Sequence, residues 1–216
     1  MKPKQVKGAV HAAQDSREAP RYYECPVCGF LSADPAFGGG IADCPVCDAP
    51  PDSRRLFPPE RLRGLDSRIR RYHADGESEI VVILVATFLE TLLEDILDRI
   101  MHAHGADASV RAAVLDTQRA VGMRIGRLFP TLVGEQFEDA AAELGYRDFP
   151  HRWRQMRAVR NAFIHDDPYE GVQETIGAKT AAQAMELLDQ AYQLFVLINN
   201  RFVAKKPGDA AATARR

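Results

Sequence analysis

The chain has 216 residues, 46% of them hydrophobic and 27% charged, enough for a small module and one further domain of ordinary size. A formal net charge of −2 excludes the strongly basic body of a protein that coats nucleic acid, while leaving room for local basic patches. The longest apolar run, Ile80 to Leu89, is interrupted by Thr87 and is half the length that crosses a bilayer, so no membrane association is expected.

Residues 1–20 read as a flexible tail, with Lys2, Lys4 and Lys7, small polar residues and no apolar signal-peptide core. Residues 21–58 hold all four cysteines, arranged as two Cys-Pro-Val-Cys knuckles, Cys25–Cys28 and Cys44–Cys47. Each knuckle aims two sulfurs at one point, and two knuckles supply the tetrahedral thiolate shell that Zn²⁺ prefers. The fifteen residues between the knuckles are too few to bury a core, so a metal must supply the folding energy of this module. Loss of one cysteine is therefore expected to unfold the module and leave the rest folded. Gly29 and Asp48 follow the knuckles at matching places, where such turns demand a positive φ. Tyr23, Phe30, Phe37 and Phe57 are expected as an apolar shell around the metal, and Phe37-Gly38-Gly39-Gly40 as a flexible turn. Reduced ligand cysteines without an export signal point to the cytoplasm.

The remainder reads as helices. In the connecting segment 59–78, Leu62, Leu65, Ile69 and Tyr72 form one stripe on a basic helix from Glu60 to His73. Residues 79–204 form the main helical domain, and 205–216 a flexible Gly/Ala/Pro-rich tail. Within the domain Ser78 can cap a long helix from Glu79 to His104, stopped by Gly105. Further helices are expected over Asp107–Phe129, broken near Gly122 or Gly126 and ended by Pro130, and over Thr131–Leu144, stopped by Gly145. The last two run from His151 to His165, with Pro150 at the start, and from Lys179 to Val203. No β alternation appears outside the metal module. The fold class is an all-α bundle with a small N-terminal zinc-ribbon module.

The segment His151 to His165 carries the candidate chemistry. At about 100° per residue, Trp153, Met156, Val159, Phe163 and Ile164 share one core-facing arc. Arg160 falls inside the same arc, a costly place for a guanidinium unless it is paired or opens onto a cleft. Arg154 and Arg157 flank it, and no acid lies between His151 and Arg160, so this stretch can hold RNA phosphates or form a solvated face. His165 comes five residues after Arg160, and an ending forced by Asp167-Pro168 can free it to swing back. An Arg–His pair on one phosphate suits RNA cleavage without a metal. Histidine moves the proton of the attacking 2′-hydroxyl or of the leaving 5′-oxygen, and arginine offsets charge on the phosphoryl oxygens. Asn161 can orient either residue. The same spacing recurs at Arg68…His73 and Arg99…His104, read as surface pairs at helix ends. Trp153 is read as core, and His102 and His104 as capping residues rather than metal ligands.

The hexapeptide Arg160-Asn161-Ala162-Phe163-Ile164-His165 resembles the Arg-polar-x-x-x-His signature of the HEPN superfamily, small all-α domains. The helix Ala86 to Leu97 is similar to the acidic, Leu-rich first helix of such domains. The resemblance implies a metal-independent endoribonuclease that acts as a homodimer, with Glu90 or Glu94 as partner to Arg160. It also implies a toxin–antitoxin or antiviral defence setting, with RNA and an antitoxin or other defence protein as partners. Other members are non-catalytic scaffolds or nucleotide-binding modules, which is the alternative. Tyr23 to Phe30 and Cys44 to Pro50 resemble rubredoxin-like knuckles, departing at Asp48 where that pattern has glycine. That likeness leaves a second alternative, an electron carrier holding iron in place of structural zinc.

Overall fold

A three-stranded sheet opens the described chain, which in this computed structural model comprises residues 20–165 and 176–204. Strands β1 (Tyr22–Glu24), β2 (Leu31–Ser32) and β3 (Arg55–Phe57) form an antiparallel sheet in the order β2-β1-β3. Glu24 faces Leu31, and Tyr22 faces Phe57. Between β2 and β3 lies the short helix α1 (Pro35–Gly38), whose N-cap Asp34 accepts the Ala36 N–H at 2.9 Å. The expected flexible turn is thus partly helical. Gly38 is needed for close approach, because a Cβ there would lie 2.1 Å from the Tyr23 ring.

The bundle is built on α3 (Ser78–Ala103), which packs against α2 (Glu60–Ala74), α9 (Ala178–Phe202), α4 (Ala108–Thr117) and α8 (Phe149–His165). It is apolar on several faces, from Val81 to Met101, because it is covered on several sides. Ser78 lies within the first turn and does not cap it; the N-cap is Glu77, without a side-chain hydrogen bond. The expected helix 107–129 ends earlier, at Thr117. After a short break come α5 (Val121–Met123), a π-helical segment (Arg124–Leu128) and α6 (Phe129–Val133). Pro130 does not end this run. It sits in the first turn of α6, where a missing N–H is tolerated. The expected helix 131–144 is split by Gly134, whose φ of 82° favours glycine, and α7 (Phe137–Glu143) follows. Among the described residues no helix is long and apolar enough to cross a membrane.

Phe129, Phe137, Phe149, Trp153 and Phe195 pack in mutual ring contact at centroid distances of 5.3–6.2 Å. Trp153 is 1% exposed, so its core reading holds. A buried polar network crosses the same bundle. Arg70 Nε donates to Asp66 Oδ1 at 3.0 Å, its Nη2 donates to Asp189 at 2.6 Å, and the Tyr192 hydroxyl donates to Asp66 Oδ2 at 3.0 Å. These bonds fix α2 against α9 in one register.

The cysteine module is stitched into this body. Tyr22, Leu31 and Phe57 belong to the helical core, so Phe57 does not shield the cysteines as expected. Asn199 donates to the Gly29 carbonyl at 2.7 Å. Asn200 Oδ1 accepts the Leu31 N–H at 2.8 Å, and its Nδ2 donates to the Leu31 carbonyl at 2.7 Å, so a side-chain amide stands in for a neighbouring strand. Arg99 is placed by the sequence in a surface pair at a helix end. It instead grips Glu24 through two bonds of 2.8 and 3.1 Å, holds Asp95 at 2.8 Å and lies 4.9 Å over the Phe57 ring.

Candidate metal centre and candidate active site

The two knuckles repeat one backbone pattern. Cys25 N–H donates to Phe30 and Gly29 N–H to Cys25; Cys44 N–H donates to Ala49 and Asp48 N–H to Cys44, all at 2.8–2.9 Å. The turns close only if the residue after each second cysteine takes a positive φ. Gly29 has 74° and Asp48 has 57°, as expected for both. The pattern brings all four sulfurs within 4.8 Å of one another, with Cys25–Cys47 at 3.7 Å and Cys28–Cys44 at 3.6 Å. None is in a disulfide. Sulfurs each 2.3 Å from a tetrahedral ion lie about 3.8 Å apart, so these two separations match those of a zinc or iron tetrathiolate. Tyr23, Phe30 and Phe37 pack around it.

Burial resists ionisation of Cys25, Cys28 and Cys47, but the balance differs among the three. At Cys25 the N–H groups of Cys28 and Val27 and the thiols of Cys47 and Cys44 outweigh burial and bring the pKa down to about 7. Burial dominates at Cys28 and Cys47, pushing both up. His102 and His104 are not part of this cluster; His102 Nδ1 lies 3.4 Å from Arg111.

On α8 the geometry separates residues that the helical arc had grouped. Trp153 and Met156 are buried, but Phe163 is 51% and Ile164 47% exposed. The apolar arc therefore runs past the part of α8 that the bundle covers. Arg160 crosses to α3, its Nη2 donating to Glu90 Oε1 at 2.5 Å. Arg157 Nε lies 3.6 Å from the same oxygen. Glu94 does not reach this cluster and instead binds Arg124 at 3.0 Å. Both arginines keep about a quarter of their side-chain surface, with Nε of each buried and making no hydrogen bond. Burial, together with the nearby Arg160, lowers the Arg157 pKa against the pull of Glu90.

The basic stretch is partly neutralised from other helices. Arg154 lies 3.8 Å from Glu138 and is largely exposed; Arg152 binds Glu186 at 2.9 Å. No sequence signal on α8 announced these acids. Asn161 is exposed. His165 is the last residue of α8; its side chain, and the Asp167-Pro168 ending expected to release it, lie outside the described residues. Comparison with family models, curated proteins and solved structures finds no match to the chain.

Proposed function

We propose that the chain is a metal-independent endoribonuclease of the HEPN type, working as a homodimer in a toxin–antitoxin or antiviral defence setting. The observation that carries the reading is the Arg157–Arg160–Glu90 cluster, two partly exposed guanidinium groups sharing one carboxylate. Glu90 holds Arg160 Nη2 and leaves its Nη1 edge for a phosphate. Arg160 then stabilises charge on the phosphoryl oxygens while His165 moves the proton. The 2′-oxygen bonds to phosphorus as the P–O5′ bond breaks. The 2′-hydroxyl proton is taken up and the 5′-oxygen protonated, leaving a 2′,3′-cyclic phosphate and a 5′-hydroxyl. Zinc, when bound to Cys25, Cys28, Cys44 and Cys47, supplies folding energy to the N-terminal module.

Because α8 remains helical to His165, the two residues are separated by about 140° around its axis and roughly 7.5 Å along it. A two-fold dimer resolves that mismatch by facing one copy's Arg160 with the other's His165. The exposed Phe163 and Ile164 beside the pair give such a contact apolar surface. A scaffold reading is favoured by one fact, that the Arg160–Glu90 pair also clamps α8 to α3.

Incubation with single-stranded RNA in EDTA distinguishes the readings. Cleavage is expected, with DNA of the same sequence inert. Arg160→Ala and His165→Ala should each lower the rate about 10²-fold or more, and the double variant little further. Undiminished activity in His165→Ala would remove the pair as catalyst. A folded dimer inert toward varied RNAs would leave the scaffold.

A further inference from the structure

The second knuckle is braced by a residue that the cysteine pattern does not announce. The first leans on α9 through Asn199 and Asn200. The second is held by Arg54, from the turn entering β3. Its Nη2 donates to the carbonyl of Ala49 at 3.1 Å and to that of Ala42 at 3.4 Å. The Ala49 carbonyl also accepts the Cys44 N–H at 2.9 Å, so Arg54 touches the bond that shapes the knuckle. The guanidinium lies 4.2 Å over the ring of Phe37, and that ring is buried among Cys25, Cys28 and Cys44.

Its charge is poorly served by the protein alone. Nε and Nη1 are buried with no hydrogen-bond partner, and among the described residues no carboxylate pairs with it. A cation held in this way is costly unless negative charge lies close by. Four thiolates around a divalent ion would supply it, four negative charges less two positive leaving 2−, at the knuckle whose Cys44 N–H shares the Ala49 carbonyl with Arg54.

We infer that Arg54 is the counter-charge of the metal–tetrathiolate centre, a positioning residue that both braces the second knuckle and stabilises the centre's excess negative charge. The inference rests on reading the four cysteines as a metal site. It also accounts for an arginine over Phe37, where an uncharged side chain would serve packing alone.

The full-length protein tests this directly. Arg54→Gln removes the charge, and Arg54→Lys retains it without the fork. In competition with a chromogenic chelator, Arg54→Gln should bind zinc about tenfold or more weakly, on the scale of lost outer-shell contacts, and Arg54→Lys should keep most of the affinity. Iron-loaded protein gives a second readout. Reduction takes the centre from 1− to 2−, so loss of the cation should move the potential to more negative values in Arg54→Gln and not in Arg54→Lys. Equal losses of affinity in both variants with an unmoved potential would make Arg54 a brace only and overturn the inference. Should Arg54→Gln fail to fold, the wild-type Arg54 Nε–H resonance can be compared between zinc- and gallium(III)-loaded protein, with centres of 2− and 1−. A shift is expected, and none would overturn it. Wild-type protein that takes up no metal in elemental analysis overturns the metal reading and this inference together.

Discussion

Asn200 is the residue on which docking of the cysteine module depends most visibly. Glu24 and Leu31 face each other across β1 and β2, and the N–H and C=O of Leu31 both bond to Asn200. Asn200→Ala removes both partners at once. Two net hydrogen bonds are worth about 2 kcal/mol, and the desolvation of groups left unpaired raises this to roughly 2–4 kcal/mol. For a protein of this size that corresponds to a fall in Tm of roughly 5–15 °C. Chemical denaturation followed by Trp153 fluorescence measures the energy, and hydrogen exchange at the Leu31 amide locates it. Asn200→Asp is the control. It keeps an acceptor for the Leu31 N–H but sets a carboxylate against the Leu31 carbonyl, so it should be as harmful at neutral pH and partly recover in acid. An Asn200→Ala protein within about 0.5 kcal/mol of wild type, the range of ordinary surface substitutions, with unchanged exchange at Leu31, would refute the strand-mimic account.

Three further outcomes follow from other parts of the molecule. Stripping metal with a chelator should lower the helical melting temperature, not only unfold the module. Tyr22, Leu31 and Phe57 sit in the helical core, and each such burial is worth about 1.5–3 kcal/mol; an unchanged helical transition by circular dichroism would show that the bundle stands without the module. Glu90→Gln leaves Arg157 and Arg160 without their shared anion. It should cost about 1–2 kcal/mol after allowance for partial exposure, yet tighten RNA binding measured by fluorescence anisotropy, whereas weaker binding would show that Glu90 does not compete with phosphate. Burial, helped by Tyr146 and Asp189, pushes Tyr22 up to about 12. A phenol raised in this way binds its proton more readily in the folded state, so its stabilisation is complete below the unfolded value near 10 and is lost as pH rises toward 12. Tyr22→Phe should flatten that alkaline loss in denaturation curves, and an unaltered slope would assign the loss to other groups.

The cysteine module was the most legible part of the chain because its determinants are local. Two cysteines per knuckle, with Gly29 and Asp48 after them, fix backbone turns within six residues, and those turns aim the sulfurs. The long helices α3 and α9 were legible for a related reason: many buried residues repeat at helical spacing. The stretch from 107 to 144 was not. Its breaks depend on a π-helical segment, on Pro130 being absorbed into a first turn and on the positive φ of Gly134, none of which leaves a periodic signal. Phe163 and Ile164 show the opposite limit. Periodicity put them on the core-facing arc, but a helix longer than the bundle beneath it exposes the end of its own apolar stripe.

The three Arg-x₄-His pairs show why spacing could not rank candidate sites, and how charge can. Arg68 is exposed. Arg99 has two carboxylates, Glu24 and Asp95, so one cation meets two anions and the cluster carries net negative charge. An RNA phosphate is repelled there, and the guanidinium is already occupied on three nitrogens. At Arg160 the count reverses. Among the described residues two cations, Arg157 and Arg160, share the single carboxylate of Glu90, and the cluster carries net positive charge beside a partly open surface. A phosphate entering this cluster relieves repulsion between two arginines; entering the other, it would add to an existing excess of negative charge. Local spacing is identical in the two cases. The difference comes from Glu24, Asp95 and Glu90, carboxylates that tertiary packing places, and it leaves Arg160 as the one of these two arginines whose surroundings favour an anion.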